Sequence, residues 1–450
     1  MPDFTTMALE ELLRPEGFDC ACGRHHRAGL RHASVGKGAL EKLGEHLRAL
    51  SITRPFVFCD ENTHEAAGKR VSQALKATGM AHTLYILPSP HPEPDELACG
   101  GLLMAFDPRC DGIVAVGSGV ITDCGKVLAH ALRLPLVGVA TAPSMDGYAS
   151  DSSSMIRGGV KVSLYNACPQ ALIADTDILA AAPMRLLQAG LGDMLAKYCS
   201  VCEWRIAHLV IDEYYCEDIA ALMRGALARV RAAAPLLLER DAQAVEEITQ
   251  GLILAGIAMA FAGVSRPASG LEHYFSHIWE MMALERGQPV ELHGIQVGIG
   301  TLLTLKIWEQ LKQETPSRET AQAFIQNFDE GKWEEMVRRI FGQASDTIMK
   351  TARVQGRNDQ VAHAARLEIS LDKWPEILQI VAEELPGYQE LFELMRGLEM
   401  PLVPEDIRVS QADTVDALLG AREIRDKYLT SSLLWDMGIL YTKAPGWIMP

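Results

Sequence analysis

Between about Gly36 and Thr141 the chain alternates short apolar runs with longer stretches of helical periodicity. Pro55-Phe-Val-Phe-Cys59, Thr83-Leu-Tyr-Ile-Leu87, Gly112-Ile-Val-Ala-Val116 and Leu136-Val-Gly-Val-Ala140 are nearly continuous in aliphatic and aromatic residues, the pattern of strands buried on both faces, and predict strands. Glu65–Thr78, Pro94–Phe106 and Thr122–Leu132, between them, predict helices. Such alternation requires crossover connections, so the expected architecture is α/β: a doubly wound, mostly parallel sheet with ligands at the carboxyl ends of its strands. Residues 151–177 mix Ser, Gly and β-formers (Ser154-Met-Ile, Val160-Lys-Val, Leu172-Ile-Ala), which predicts a hairpin excursion and a returning strand. From Pro183 onward Ala, Leu, Glu and Arg recur at helical spacing, broken at Pro267, Pro289, Pro316, Pro386 and Pro401. The expectation is therefore an α/β domain over 1–182 followed by an all-helical domain over 183–450, with no internal repeat of fixed period.

Composition narrows this picture without redrawing it. A chain of 450 residues, 48% hydrophobic and 22% charged, is large enough for two cores. Its formal charge of -16 lacks the basic surface that a phosphate backbone requires, which excludes nucleic acid as the main partner. Acidic residues stand where an export leader would be basic, so a cytoplasmic protein is expected. The most apolar stretch, Gly251–Val264, is short and interrupted by glycine, and is expected to be a buried helix with no membrane role. Ten scattered cysteines suit a reducing compartment. Cys20-Ala-Cys22-Gly, with His25 and His26, offers metal-ligand types, but Cys-x-Cys is tighter than the usual zinc knuckle and no second pair follows nearby. A turn with incidental thiols is the expectation there. Cys199 and Cys202 fall in a helical run and are expected to pack.

Two loops carry candidate chemistry. Gly117, Ser118, Gly119, Val120, Ile121, Thr122 and Asp123 follow a strand and open a helix, where glycines let backbone amides approach a pyrophosphate. The third glycine of the usual fingerprint is missing, so a tight turn capped by Thr122 or Asp123 is the competing reading. Thr141, Ala142, Pro143 and Ser144, leading to Asp146 and Ser150, follow the next strand and should emerge beside the first loop, completing a dinucleotide cleft. Asp60, at the end of its strand, suits either an adenosine ribose or a helix N-cap.

Downstream, His273 and His277 stand at i and i+4 and share a helix face. His293 follows the Gly287-Gln-Pro289 break, and Asp193 sits in the glycine-rich Ala189-Gly-Leu-Gly-Asp193. One carboxylate with two or three imidazoles suits a divalent transition metal that keeps positions open for substrate, and beside a nucleotide-type domain it implies metal-assisted hydride transfer.

At these residues the sequence resembles the sn-glycerol-1-phosphate dehydrogenases, a branch of the fold shared by dehydroquinate synthases, glycerol dehydrogenases and iron-type alcohol dehydrogenases. GSGVITD, TAPSMDGYAS, AGLGDMLAK, SGLEHYFSHIWEM and ELHGIQVGIGTL carry the resemblance, in the family's order, over about Gly112–Thr301. It is most similar to the bacterial members, with extra length in the C-terminal helices; Thr315–Pro450 carries no recognised function. The resemblance implies that Asp193, His273 and His293 bind a catalytic zinc or nickel ion, and that Asp146, Asp193 and His277 touch substrate, with Asp193 and His277 catalytic. It implies that Gly117–Asp123, Thr141–Ser144 and Ser150 contact NAD(H) or NADP(H), with Asp60 on the ribose. A small phosphorylated C3 substrate and a homodimer follow from the same likeness, and Arg157, Lys161 and Lys197 are candidates for the substrate phosphate. Ser118 stands where the family commonly has glycine, and Leu271 where a polar residue is usual. The rival readings are a glycerol or polyol dehydrogenase acting on an unphosphorylated substrate, a dehydroquinate synthase, and an inactive scaffold.

Overall fold

Six parallel strands build one sheet: β1 (His32–Gly36), β2 (Pro55–Asp60), β3 (Thr83–Leu87), β4 (Gly112–Gly117), β5 (Leu136–Ala140) and, after a hairpin of β6 (Ser152–Arg157) and β7 (Val160–Tyr165), β8 (Ala171–Asp175). Their spatial order is β1-β8-β5-β4-β2-β3. The computed structural model describes residues 3–89 and 91–449. Every residue of β2, β4, β5 and β8 is buried, as their unbroken apolar runs require. Alternate side chains feed two layers: Val57, Val114, Val137 and Ile173 on one face, and Phe56, Phe58, Ile113 and Leu136 on the other. The sheet is thus doubly wound, and the hairpin and the returning strand lie where the Ser, Gly and β-forming residues predict them. Gly158 and Gly159, at φ 60° and 76°, make the tight turn of the hairpin.

The strand β1 is the element the sequence pattern misses. Its polar residues, His32 and Ser34, hide it: Ser34 is buried, and its hydroxyl lies 2.7 Å from Nε2 of the buried His46 in the following helix, so an edge strand is held without an apolar run.

The helices positioning the candidate site are α1 (Gly119–Leu132), α2 (Met184–Leu195), α3 (Lys197–Ile211), α4 (Glu217–Ala233), α5 (Ala242–Ala262), α6 (Leu271–Glu285) and α7 (His293–Leu311). Pro267, Pro289, Pro316, Pro386 and Pro401 all lie between helices, as predicted. The change from mixed to purely helical structure falls after Asp175, close to the expected Pro183. The chain nevertheless folds as two compact units that interleave in sequence: Met1–Met194 with Cys216–Ser265, and Leu195–Tyr215 with Arg266–Pro450. α4 and α5 therefore belong with the sheet. A Cβ at Gly256 of α5 would lie 2.8 Å from the Ala149 Cβ, so α5 packs directly against the loop that follows β5.

α5 is also longer than the Gly251–Val264 segment suggests. At 21 residues it is long and apolar enough to cross a membrane by length and composition, but 72% of its most apolar 18-residue stretch is buried within the protein, the behaviour of a core helix. In the second unit Leu271, Tyr274, Phe275 and Ile278 of α6 pack with Ile299 and Leu303 of α7 and with Trp435 from the C-terminal helices. Cys199 and Cys202 are buried in α3, as expected.

Candidate functional site

In the first unit, Gly117 and Ala140 are register partners at the ends of β4 and β5, so the loops after both strands leave one sheet edge side by side. Gly117 has no room for a side chain: a Cβ would come within 2.4 Å of Ile121 Cβ. Ile121 itself is buried in the core below the loop, leaving only its backbone to a ligand. Ser118 stands at the N-cap of α1 with no side-chain cap bond, which leaves the first amides of α1 to an anion. The Ser118 hydroxyl instead joins the two loops, 2.5 Å from the Ser144 hydroxyl and 3.1 Å from the Tyr148 hydroxyl. Its departure from glycine thus has a structural use. Tyr148 also donates to the Ala142 carbonyl at 2.7 Å, and the Thr141 amide donates to the Gly117 carbonyl at 3.3 Å.

Lys126, which sequence reasoning passed over, is fully buried beneath this edge. Its Nζ donates to the carbonyls of Gly147 (2.5 Å) and Ser152 (2.9 Å) and to the Ser150 hydroxyl (3.3 Å). Asp123 accepts the Ser154 amide at 3.1 Å and stands 3.6 Å from Lys126, and burial pushes its carboxyl above the usual range. Asp123 therefore ties the hairpin to α1. Neither it nor Thr122 supplies a side-chain cap to α1.

Asp193 is fully buried in the last turn of α2, and its Oδ2 accepts the Asp146 amide at 2.9 Å. The Asp193 carboxylate thus meets the backbone of a residue 47 positions away, in the loop that follows β5. The glycines before Asp193 explain how: a Cβ on Gly190 would overlap the Pro143 carbonyl oxygen at 1.7 Å, so only glycine lets α2 approach the loop this closely.

In the second unit α6 and the start of α7 gather three imidazoles. Ring centroids are 5.3 Å apart for His273 and His293, 5.5 Å for His277 and His293, and 6.3 Å for His273 and His277. Two carboxylates that the sequence pattern did not single out stand behind them. Glu272 Oε1 is 2.8 Å from His273 Nδ1, while Glu280 lies 3.3 Å from His293 Nδ1 and 3.5 Å from His277 Nδ1. Glu280 stands one turn after His277 and two after His273, a periodicity that would have found it. An ionised carboxylate only accepts, so a neutral imidazole that hydrogen-bonds to one through Nδ1 keeps its Nε2 lone pair, the arrangement of metal-binding histidines with carboxylate support; the short Glu272–His273 contact has this form, while His293 Nδ1 also lies 3.0 Å from the Ser276 hydroxyl. Glu280 can also act as a ligand itself, since it, His277 and His293 offer donor atoms within 4.8 Å of one another. The donor set therefore fits a divalent transition metal. Burial above all pushes His277 well below the ordinary imidazole range, which keeps it neutral at pH 7.

Glu203 of α3 fixes this helix start, accepting the Leu271 amide and the Thr430 amide, both at 2.8 Å. Burial, then the charge of Glu272, raises Glu203 to about 7. Leu271, unusual for its motif, is buried in the core. Of the proposed phosphate ligands, Arg157 is exposed on the hairpin and Lys161 is partly buried there, whereas Lys197 is fully buried and donates to the Ala268 carbonyl at 3.1 Å.

Asp60 ends β2, where its Oδ1 accepts the Thr63 amide at 2.7 Å and the Thr63 hydroxyl at 3.0 Å. The capping role is the one the structure displays. Asp60→Ala is expected to cost about 1 kcal/mol of stability through the lost cap. If Asp60 also binds a ribose, the ratio of NAD to NADP specificity constants will fall; an unchanged ratio leaves only the cap.

A family profile described as iron-containing alcohol dehydrogenase matches residues 34–183. A glycerol-1-phosphate dehydrogenase (NAD(P)+) from Halalkalibacterium halodurans is 34% identical over 295 residues, covering 65% of this chain and 74% of that protein. One from Methanosarcina mazei is 35% identical over 289 residues, covering 63% and 79%. Among solved structures, a glycerol dehydrogenase from Schizosaccharomyces pombe superposes with a TM-score of 0.60 over 94% of this chain and 92% of that one, at 14% identity. An iron-containing alcohol dehydrogenase from Thermotoga maritima gives 0.58 over 94% and 99%, also at 14%. At such identity these two likenesses speak to the fold.

Proposed function

The chain belongs to the glycerol-1-phosphate dehydrogenase family, and from that premise we propose that it is a metal-dependent NAD(P) oxidoreductase interconverting dihydroxyacetone phosphate and sn-glycerol 1-phosphate. The observation that carries the metal dependence is the cluster of three imidazoles, each with its Nδ1 facing a carboxylate. On the family resemblance, Asp193, His273 and His293 would hold the ion, zinc or nickel, with Glu272 and Glu280 orienting the imidazoles. The first amides of α1 and the loop Thr141–Ser144 receive the dinucleotide phosphates, with Ser150 at its edge and Asp60 at the ribose. When bound, the cation polarises the ketone oxygen and the dinucleotide supplies or takes the hydride.

The remaining work falls to the chain's own side chains. His277, neutral at pH 7, presents Nε2 to a substrate hydroxyl and accepts a proton as the alcohol is oxidised. Asp146, held by its backbone to Asp193, orients a second hydroxyl. His277→Ala is expected to keep the metal and lose turnover. A raised KM with unchanged kcat would assign it to ground-state binding, and a lowered kcat with an altered pH profile to proton transfer. Loss of metal in His277→Ala with retention in His293→Ala would exchange their roles, in line with the His277, Glu280 and His293 donor group.

The substrate is tested by initial rates of the metal-loaded enzyme with NADH and dihydroxyacetone phosphate against dihydroxyacetone. Preference for the phosphorylated ketone is expected; equal kcat/KM for both would favour a polyol dehydrogenase. The proposal includes a cytoplasmic homodimer, checked by light scattering of the purified protein.

A further inference from the structure

We propose that Cys20, Cys22, His26 and Cys216 form a second metal site, a Cys3His zinc centre that fastens the N-terminal segment to α4 and α5. The sequence shows only Cys-x-Cys with nearby histidines; the fold supplies the missing third thiol from 196 residues away, at the N-cap of α4. One donor atom from each of the four residues lies within 4.8 Å of the others. Bond lengths of about 2.3 Å to sulfur and about 2.0 Å to nitrogen place the corners of a tetrahedron roughly 3.8 Å apart for two sulfurs and roughly 3.5 Å for sulfur and nitrogen. The structure has 3.6 Å between Cys20 Sγ and Cys216 Sγ, 3.3 Å between Cys22 Sγ and His26 Nε2, and 3.7 Å between Cys216 Sγ and His26 Nε2.

The surroundings are those of a ligand set. His26 is fully buried, and its Nδ1 donates to the Phe261 carbonyl of α5 at 2.7 Å, which turns the Nε2 lone pair towards the thiols. Cys20 and Cys22 sit in a knuckle between paired Phe18-Asp19 and His25-His26, closed by Gly23 at φ 81°, with the Cys22 amide 3.5 Å from Cys20 Sγ. Cys216 begins a helix, where the dipole favours a thiolate. His25 is turned away, paired with Asp19 at 2.8 Å. Asp218 accepts the Cys20 thiol at 3.1 Å and is the acceptor the thiol relinquishes when zinc displaces the three thiol protons into solvent. Cys20 and Cys22 remain partly exposed, so an ion has a route in.

The test is cobalt substitution of the purified full-length enzyme. Because the imidazole and carboxylate site contains no sulfur, a thiolate-to-cobalt charge-transfer band reports this centre alone. We expect the band to saturate at one cobalt per chain, to survive in His293→Ala, and to vanish in Cys22→Ser and Cys216→Ser. Should those variants fail to fold, alkylation of the wild-type protein decides: Cys20, Cys22 and Cys216 should react several-fold more slowly in the zinc-loaded than in the chelator-treated enzyme, with the partly buried Cys99 as internal reference. Absence of the band, equal alkylation rates, or a Cys20–Cys216 disulfide in protein purified under zinc would each overturn the proposal.

Discussion

His273→Ala, His293→Ala and Asp193→Asn are each expected to remove one metal equivalent and essentially all turnover while the fold survives. The imidazoles stand at 5.3 Å with their Nδ1 atoms committed to Glu272 and Glu280, so truncating either leaves its carboxylate without the ring it orients. Asp193→Asn keeps the shape and an oxygen to accept the Asp146 amide but loses the charge a cation needs. Partners behind metal ligands are worth about 10- to 100-fold in affinity or activity, so removing a ligand should exceed roughly 100-fold. Glu272→Gln should fall inside that lower range, which separates ligand from support. Metal analysis with single-turnover kinetics checks the set, and full activity with undiminished metal in any of the three would remove that residue from the site. The thiolate-bound metal should be untouched, so total metal falls without reaching zero.

Gly190→Ala should be the most damaging single methyl in the first unit. In a helix interior alanine ordinarily stabilises relative to glycine by about 1 kcal/mol. Here the new Cβ would sit 1.7 Å from the Pro143 carbonyl oxygen, and the loop cannot easily retreat because Tyr148 and Lys126 bind it from below. Overpacking of this kind typically costs about 1–3 kcal/mol and occasionally more. The displaced segment includes Thr141–Ser144, so NADH affinity should fall along with the thermal midpoint. Gly225→Ala in α4 is the control: nothing lies within 4 Å of its Cβ, and it should be neutral or stabilising. Equal midpoints and equal NADH titrations for wild type and Gly190→Ala would show that the α2–loop approach is not needed for cofactor binding.

Much of this protein is written locally. The apolar runs of β2, β4, β5 and β8, the proline breaks between helices and the placement of His273 and His277 on one helix face all follow from residues within a few positions of one another, because strand burial, backbone blocking and helical periodicity act at that range. The glycine loop is legible for the same reason. What stayed hidden depends on residues far apart in sequence. The meeting of Asp146 with Asp193, the burial of Lys126, the reason Gly190 must be glycine, the assignment of α4 and α5 to the sheet, and the arrival of Cys216 beside Cys20 and Cys22 leave no periodic trace. A buried lysine and a surface lysine read alike, and a thiol does not reveal its distant partner, because such pairings are set by which surfaces the crossovers bring together.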